Sequence, residues 1–187
     1  MNLPNALTLS RIFLVPPLVG VLLTTTPPAR EVWGFIVFAT AATTDYFDGY
    51  LARRRSQITT LGQLLDPVAD KLLISAVFIS LVQLGIAPAW MVIIIVGREF
   101  VVTGLRSVAS AQGITISALR LGKYKMVAQV ASAGCLILAS RFPETYIFLA
   151  GQILLWVVAV LALLSMTQYF VRYWGPIQKR VNTSQDE

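Results

Sequence analysis

Two stretches of the chain, residues 72–97 and 146–171, each run for 26 residues without a charged side chain. A helix that crosses a bilayer needs about 20 mostly apolar residues, each advancing it about 1.5 Å. The second stretch therefore reads as one long apolar helix. The first contains Gly85 and Pro88. A proline inside a helix removes a hydrogen bond and clashes with the preceding turn, so residues 72–97 read as two helices joined by a tight turn at 85–88. Apolar segments at 12–26, 32–44 and 126–140 supply the remainder, with Pro27-Pro28 stopping the first and Arg141 and Pro143 the last. The pattern predicts six spans, near 7–26, 31–53, 64–84, 88–108, 118–140 and 145–172. The expected fold is an all-α polytopic membrane protein with one catalytic domain over 1–181 and a polar, disordered tail over 182–187.

Composition points the same way. The chain is 56% hydrophobic and 13% charged, whereas soluble domains are about 45–50% apolar and about 25% charged. Pro16-Pro17 stands where a cleavable signal would need its apolar region. There is no histidine and only one cysteine, Cys135. A Ser-His-Asp triad, a histidine-ligated zinc or haem and an internal disulfide are all excluded. Catalysis must rest on carboxylates, lysine, arginine, hydroxyls or hard metal ions.

Six spans put both termini on one side. That side receives Arg11, Arg53, Arg54, Arg55, Lys71, Arg98, Arg106, Arg120, Lys123, Lys125, Arg172, Lys179 and Arg180, leaving only Arg30 and Arg141 opposite. The positive-inside rule makes the first side cytoplasmic, so the protein is expected in the cytoplasmic membrane with both termini and the active site facing the cytoplasm. Trp33, Trp90 and Trp174 read as interfacial anchors and Trp156 as a mid-helix exception. Gly134 and Gly151 read as helix-contact points.

Twenty-six uncharged residues cannot supply two spans of about 20 each, so charged residues must lie within the membrane. Counting from the turn near Ile86, Asp70 lies about 24 Å and Asp66 about 30 Å along the third helix; counting from Val32, Asp45 and Asp48 lie about 20 and 24 Å along the second. All four reach a similar depth in the cytoplasmic third. The i, i+4 spacing of Asp66 and Asp70 and the i, i+3 spacing of Asp45 and Asp48 each define one helix face. Carboxylates at such depth are costly and mark bundle interiors or wet cavities. Oxygen ligands without histidine or cysteine select Mg²⁺, Mn²⁺ or Ca²⁺.

The pattern Asp45-x-x-Asp48-Gly49-x-x-Ala52-Arg53, eight residues, Gly62-x-x-x-Asp66-x-x-x-Asp70 resembles the signature of the CDP-alcohol phosphotransferase family at every defined position. The resemblance implies a six-helix fold in which an alcohol attacks the lipid-side phosphorus of a CDP-linked lipid and CMP leaves. It implies two divalent cations, Mg²⁺ or Mn²⁺, held by Asp45, Asp48, Asp66 and Asp70, with Asp70 also the general base. Gly49, Ala52, Arg53 and Gly62 would line the CDP moiety. By analogy with relatives, it also implies a homodimer.

The second half bears on the acceptor alcohol. Gly97-Arg98-Glu99-Phe100, Thr103-Gly104-Leu105-Arg106 and Gly122-Lys123-x-Lys125 place cations on the fourth and fifth helices, and Arg98 and Arg106, eight residues or about two turns apart, read as sharing one face. Counted back from Arg141, Lys125 and Lys123 lie about 24–27 Å along the fifth helix, at the depth of the aspartates. Arg98, Arg106, Lys123 and Lys125 suit an anionic acceptor. Together with Asn2-Leu3-Pro4-Asn5, Leu7-Thr8 and Arg11, they resemble bacterial family members that convert CDP-diacylglycerol and sn-glycerol 3-phosphate to phosphatidylglycerophosphate. Met126 stands where that pattern has threonine, which removes a hydroxyl near the acceptor pocket. Lys123 and Lys125 could alternatively serve lipid headgroups and topology, and Arg98 a structural ion pair with Glu99 or a signature aspartate.

Within the family the alternatives are a cardiolipin synthase and an inositol-phosphate-using enzyme. A divalent-cation transporter is the rival from another class, since intramembrane acids mark transporters too. Its site would more often lie at the midplane between repeats, whereas these acids share one cytoplasmic third and no repeat is visible. The expected partners are the two substrates and the bilayer, with no nucleic acid.

Overall fold

The computed structural model describes residues 3–55, 60–111, 113 and 120–183, with the side chains of 9–44, 65, 67–111, 113, 122 and 124–175. Among these residues there are six helices and no strand: α1 (Leu3–Thr24), α2 (Ala29–Arg55), α3 (Thr60–Gln83), α4 (Ala89–Ala111), α5 (Arg120–Leu138) and α6 (Tyr146–Thr183). They follow the predicted spans in order. The largest departure is at the end of α6, where Asn182 and Thr183, expected in the polar tail, are helical. The apolar run ends at Val171, but a helix continues as long as its backbone bonds close, and lysine and arginine are good helix formers. Residues 184–187 lie outside the described set.

The turn between α3 and α4 falls where Gly85 and Pro88 predict it. Gly85 adopts φ 71°, a left-handed conformation that only glycine takes without a Cβ penalty. The Ile86 N–H donates to the Leu81 carbonyl and the Gly85 N–H to the Val82 carbonyl, both at 2.9 Å. This pairing is the Schellman termination, which satisfies carbonyls orphaned at the helix end. Gln152 of α6 donates to the Ile86 carbonyl at 2.7 Å and so fixes the turn against the last helix.

One apolar core joins all six helices, including Leu18 and Leu22 of α1, Phe38 of α2, Val77 and Leu81 of α3, Ile95 of α4, Leu136 of α5 and Leu155 of α6. A second cluster joins Val102, Leu105 and Ala109 of α4 to Tyr169 and Tyr173 of α6. Helix α3 packs against α1, α4 and α5, which places its charged residues where several helices converge. Trp90 and Trp156 meet edge to face with ring centroids 5.4 Å apart, so mid-helix Trp156 is explained by a ring contact between α4 and α6.

The outward surface is apolar as well. Ile147, Leu149, Ile153, Trp156 and Leu164 of α6 and Ile93 of α4 are all exposed. Threonine hydroxyls on this kind of surface bond within their own helix: Thr24 donates to Gly20, Thr40 to Ile36 and Thr44 to Thr40, each at 2.7 Å. Among the described residues, Tyr146–Gly175 is long and apolar enough to cross a membrane, while Leu9–Thr24 and Tyr124–Leu138 are apolar but shorter. Charged residues interrupt α3 at Asp70 and Lys71 and α4 at Arg98 and Glu99.

Helices α5 and α6 approach closely at Gly151. A Cβ there would stand 2.9 Å from Leu136 Cδ2 and 3.1 Å from Cys135 Cβ, and the Ser132 hydroxyl donates to the Gly151 carbonyl at 2.9 Å. Gly151→Val is expected to cost about 1–3 kcal/mol by overpacking, read as a lowered thermal midpoint in detergent. A Cβ at Gly20 meets nothing within 4 Å, so Gly20→Ala is expected to leave the midpoint unchanged or raise it.

Candidate active site

A cleft of about 210 Å³ opens between α3, α4 and α5. From α3 it receives Pro67, Asp70, Lys71 and Ile74, and from α5 Gly122, Lys125, Met126 and Gln129. Both sets follow the i, i+3, i+4, i+7 spacing that puts residues on one helix face. Helix α4 adds the adjacent pair Arg98 and Glu99. The floor is set by the apolar core, because Leu73 and Val77 of α3 and Ala133 of α5 continue both helices into it.

Asp70 is held from behind. Arg11 of α1, fully buried, places Nη1 2.5 Å from Asp70 Oδ1, while the Asp70 side chain keeps 34% of its surface open. The guanidinium offsets a carboxylate that would otherwise be costly in an apolar helical body. On the facing side, Glu99 pairs with two cations. Arg98 Nη1 lies 3.3 Å from Glu99 Oε1, and Lys125 Nζ forms an ion pair with the same oxygen. Arg98 is anchored to α6 as well. Its Nε donates to Ser165 Oγ at 2.9 Å, and its Cζ lies 5.8 Å from the Tyr169 ring centroid. Arg98 thus joins α4 to α6 and lines the cleft, and its ion pair with Glu99 is the structural one that the sequence offers.

The cations act on one another. Lys71 feels the charges of Arg106, Asp70 and Arg98, and Lys125 those of Arg98 and Lys71. Arg106 itself is exposed and is not among the cleft-lining residues. Eight residues turn a helix by about 800°, roughly 80° past two full turns, and advance it about 12 Å. Arg106 therefore does not repeat the position of Arg98, and its influence is at longer range.

This arrangement of an acid beside a cation cluster sits in a fold with known counterparts. The sequence model of the CDP-alcohol phosphatidyltransferase family matches residues 1–166. The chain belongs to that family. A Bacillus subtilis (strain 168) protein named CDP-diacylglycerol–glycerol-3-phosphate 3-phosphatidyltransferase is 41% identical over 188 residues, covering 95% of this chain and 97% of the relative. An Escherichia coli (strain K12) protein of the same name is 37% identical over 176 residues, covering 90% and 92%. Among solved structures, the apo phosphatidylinositol phosphate synthase of Mycobacterium tuberculosis superposes with TM-score 0.63 over 91% of this chain and 88% of its own, at 22% identity. That likeness establishes the CDP-alcohol phosphatidyltransferase fold.

Of the family signature, Asp45, Asp48, Gly49, Ala52 and Arg53 lie on α2, and Gly62, Asp66 and Asp70 on α3. Only Asp70 has a described side chain; those of the other signature residues, and of Lys123, lie outside the described set. Arg98 and Lys125 reach the cleft together with Asp70. The cleft also holds Lys71, Glu99 and Gln129. Glu99 was legible as a partner of Arg98, but the sequence carries no local signal for Gln129 or for Arg11 as the partner of Asp70.

A double-mutant cycle tests the Arg11–Asp70 pair. Arg11→Met is expected to destabilise the protein by several kcal/mol, because it leaves a carboxylate without its buried partner. In an Asp70→Asn background the same change should cost about 1–3 kcal/mol less. Denaturant or thermal unfolding of the four variants in one detergent measures the coupling.

Proposed function

We propose that this chain is an integral membrane enzyme that transfers the phosphatidyl group of CDP-diacylglycerol to sn-glycerol 3-phosphate, giving phosphatidylglycerophosphate and CMP. The observation that carries this reading is the cleft itself, where Asp70 faces Lys71, Arg98 and Lys125. A phosphomonoester acceptor needs such cations, and a neutral alcohol does not. Two curated relatives whose names carry this activity align over at least 90% of the chain, which supports the same choice.

In this reading the acceptor phosphate lies against Lys71, Lys125 and Arg98. Its free hydroxyl meets Asp70, which takes the proton as the hydroxyl oxygen bonds to the lipid-side phosphorus. The bond from that phosphorus to the CMP oxygen breaks, and CMP leaves with the electron pair. Asp70 suits the role because Arg11 fixes one carboxylate oxygen while a third of the side chain stays open, and a base must stand within hydrogen-bond reach of the proton it takes. Gly49, Ala52, Arg53 and Gly62 hold the cytidine nucleotide. A covalent intermediate has no support in the residues, because no serine or cysteine can have a histidine partner.

The acids suit two divalent cations, Mg²⁺ or Mn²⁺. They are hard oxygen donors in a chain without histidine, and the one signature carboxylate with a described side chain, Asp70, is partly open beside the cleft. Asp45, Asp48, Asp66 and Asp70 would hold the ions. When bound, they offset pyrophosphate charge as Lewis acids.

The six helices are proposed to be six spans with both termini cytoplasmic. The apolar outer surface and the segregation of basic residues support this topology. A two-tailed lipid then reaches the site from the bilayer side.

A CMP-release assay with a panel of acceptors tests the function. Glycerol 3-phosphate with Mg²⁺ or Mn²⁺ is expected to support turnover; phosphatidylglycerol and inositol phosphate are not. CMP release with either of those but not with glycerol 3-phosphate would overturn the acceptor assignment. Asp70→Asn is expected to abolish turnover while CDP-lipid binding persists in part. Lys125→Ala should raise the KM for glycerol 3-phosphate by roughly 10-fold or more, from loss of a charge-assisted bond, with a smaller effect on the KM for CDP-diacylglycerol. Equal effects on both would assign Lys125 a structural role.

A further inference from the structure

Gln129 lines the cleft, and its side chain is only 4% exposed. Its Nε2 is buried and has no hydrogen-bond partner among the described residues. An unpartnered buried donor is rare and costly, so one at the wall of a ligand cleft points to an oxygen supplied by the ligand. The two carboxylates of the cleft are already engaged, Asp70 with Arg11 and Glu99 with Arg98 and Lys125.

The position of Gln129 indicates which oxygen it meets. It lies one turn beyond Lys125 on the same stripe of α5, about 6 Å further along the axis. There it shares the cleft wall with Ile74, next to the apolar core that begins with Ala133. The cations that suit a phosphate are therefore one turn away. A carboxamide is neutral and both donates and accepts, which matches a hydroxyl better than an anion. Glycerol 3-phosphate carries two hydroxyls. The primary one is the less hindered nucleophile and belongs with Asp70, which leaves the secondary hydroxyl.

We propose that Gln129 binds the non-reacting secondary hydroxyl of the acceptor and thereby selects glycerol 3-phosphate over phosphomonoesters of simpler alcohols. The inference rests on the acceptor assigned above and adds the group that reads its carbon skeleton. A site built to bond a substrate hydroxyl rejects the analogue that lacks it, because a buried group is left unpaired.

The test compares glycerol 3-phosphate with 3-hydroxypropyl phosphate, which keeps the phosphate and the primary hydroxyl but lacks the secondary one. Wild-type enzyme is expected to prefer glycerol 3-phosphate by about tenfold or more in kcat/KM, about 1.4 kcal/mol. In Gln129→Met that preference should fall to about twofold or less, with the KM for CDP-diacylglycerol little changed. The preference is a ratio taken on one preparation, so any inactive fraction cancels. Gln129→Asn, which draws the carboxamide back by one methylene, should lose the preference too and serves as the test if the methionine variant fails to fold. A variant that keeps the wild-type preference, or a wild-type enzyme that shows none, overturns the proposal. Wild-type enzyme that releases no CMP with glycerol 3-phosphate overturns the acceptor assignment itself, a separate and recognisable result.

Discussion

An apolar helical body can hold charge only where each charged group meets a partner, and this constraint organises the protein. The described helices carry two such arrangements beside one cleft. Arg11 pairs with Asp70 across α1 and α3, and Glu99 draws Arg98 of its own helix and Lys125 of α5 to one carboxylate. Removing one member of a buried pair costs far more than the pair contributes net. The pairs therefore commit α1, α3, α4 and α5 to a single arrangement around the cleft. Arg98 extends the commitment to α6 through Ser165. Groups that suit the chemistry also fix which helices stand together.

The remainder of the bundle keeps that arrangement rigid by less specific means. Gly151 brings α6 close enough to α5 for Ser132 to bond its carbonyl. Gln152, the next residue, bonds the turn that reverses α3 into α4. At that same end of α5, Ser140 donates to Glu31 of α2 at 3.0 Å, pairing polar groups that the apolar core cannot satisfy. The cleft end and the turn end are therefore each closed by polar contacts, with the shared core between them.

What the sequence reveals here follows from range. The six helices were legible because apolar runs, prolines and Gly85 act locally. The two cleft stripes were partly legible because Asp70 and Lys125 fall at matching depths when counted from opposite ends of their helices. The Arg11–Asp70 pair spans 59 residues, and no local pattern marks a long-range partner. Gln129 is a single amide in an apolar helix, and its meaning lies in what its nitrogen fails to meet. Arg98 and Arg106 looked equivalent by spacing, but the residual rotation over eight residues separates them. The end of α6 differed for a simpler reason, since loss of apolar character does not end a helix.

The charge inventory of the cleft makes a last argument about the ligand. Among the described groups, Lys71, Arg98 and Lys125 of the cleft lining, with Arg11 behind Asp70 and outside that lining, stand against Asp70 and Glu99. The excess is two positive charges. A phosphomonoester carries about −1.5 to −2 at neutral pH, so it would bring the local balance close to zero. A neutral alcohol would leave the excess in place, and a phosphodiester would offset about half of it. The repulsion among Lys71, Arg98 and Lys125 is itself a cost that the fold accepts, and a dianion placed between them relieves it. Glu99 limits that cost without cancelling it. A second acid at this position would halve the excess, whereas no acid at all would leave Lys125 buried beside Arg98 without a carboxylate partner. One carboxylate shared by two cations ties α4 to α5 and still leaves net positive charge among the described groups of the cleft.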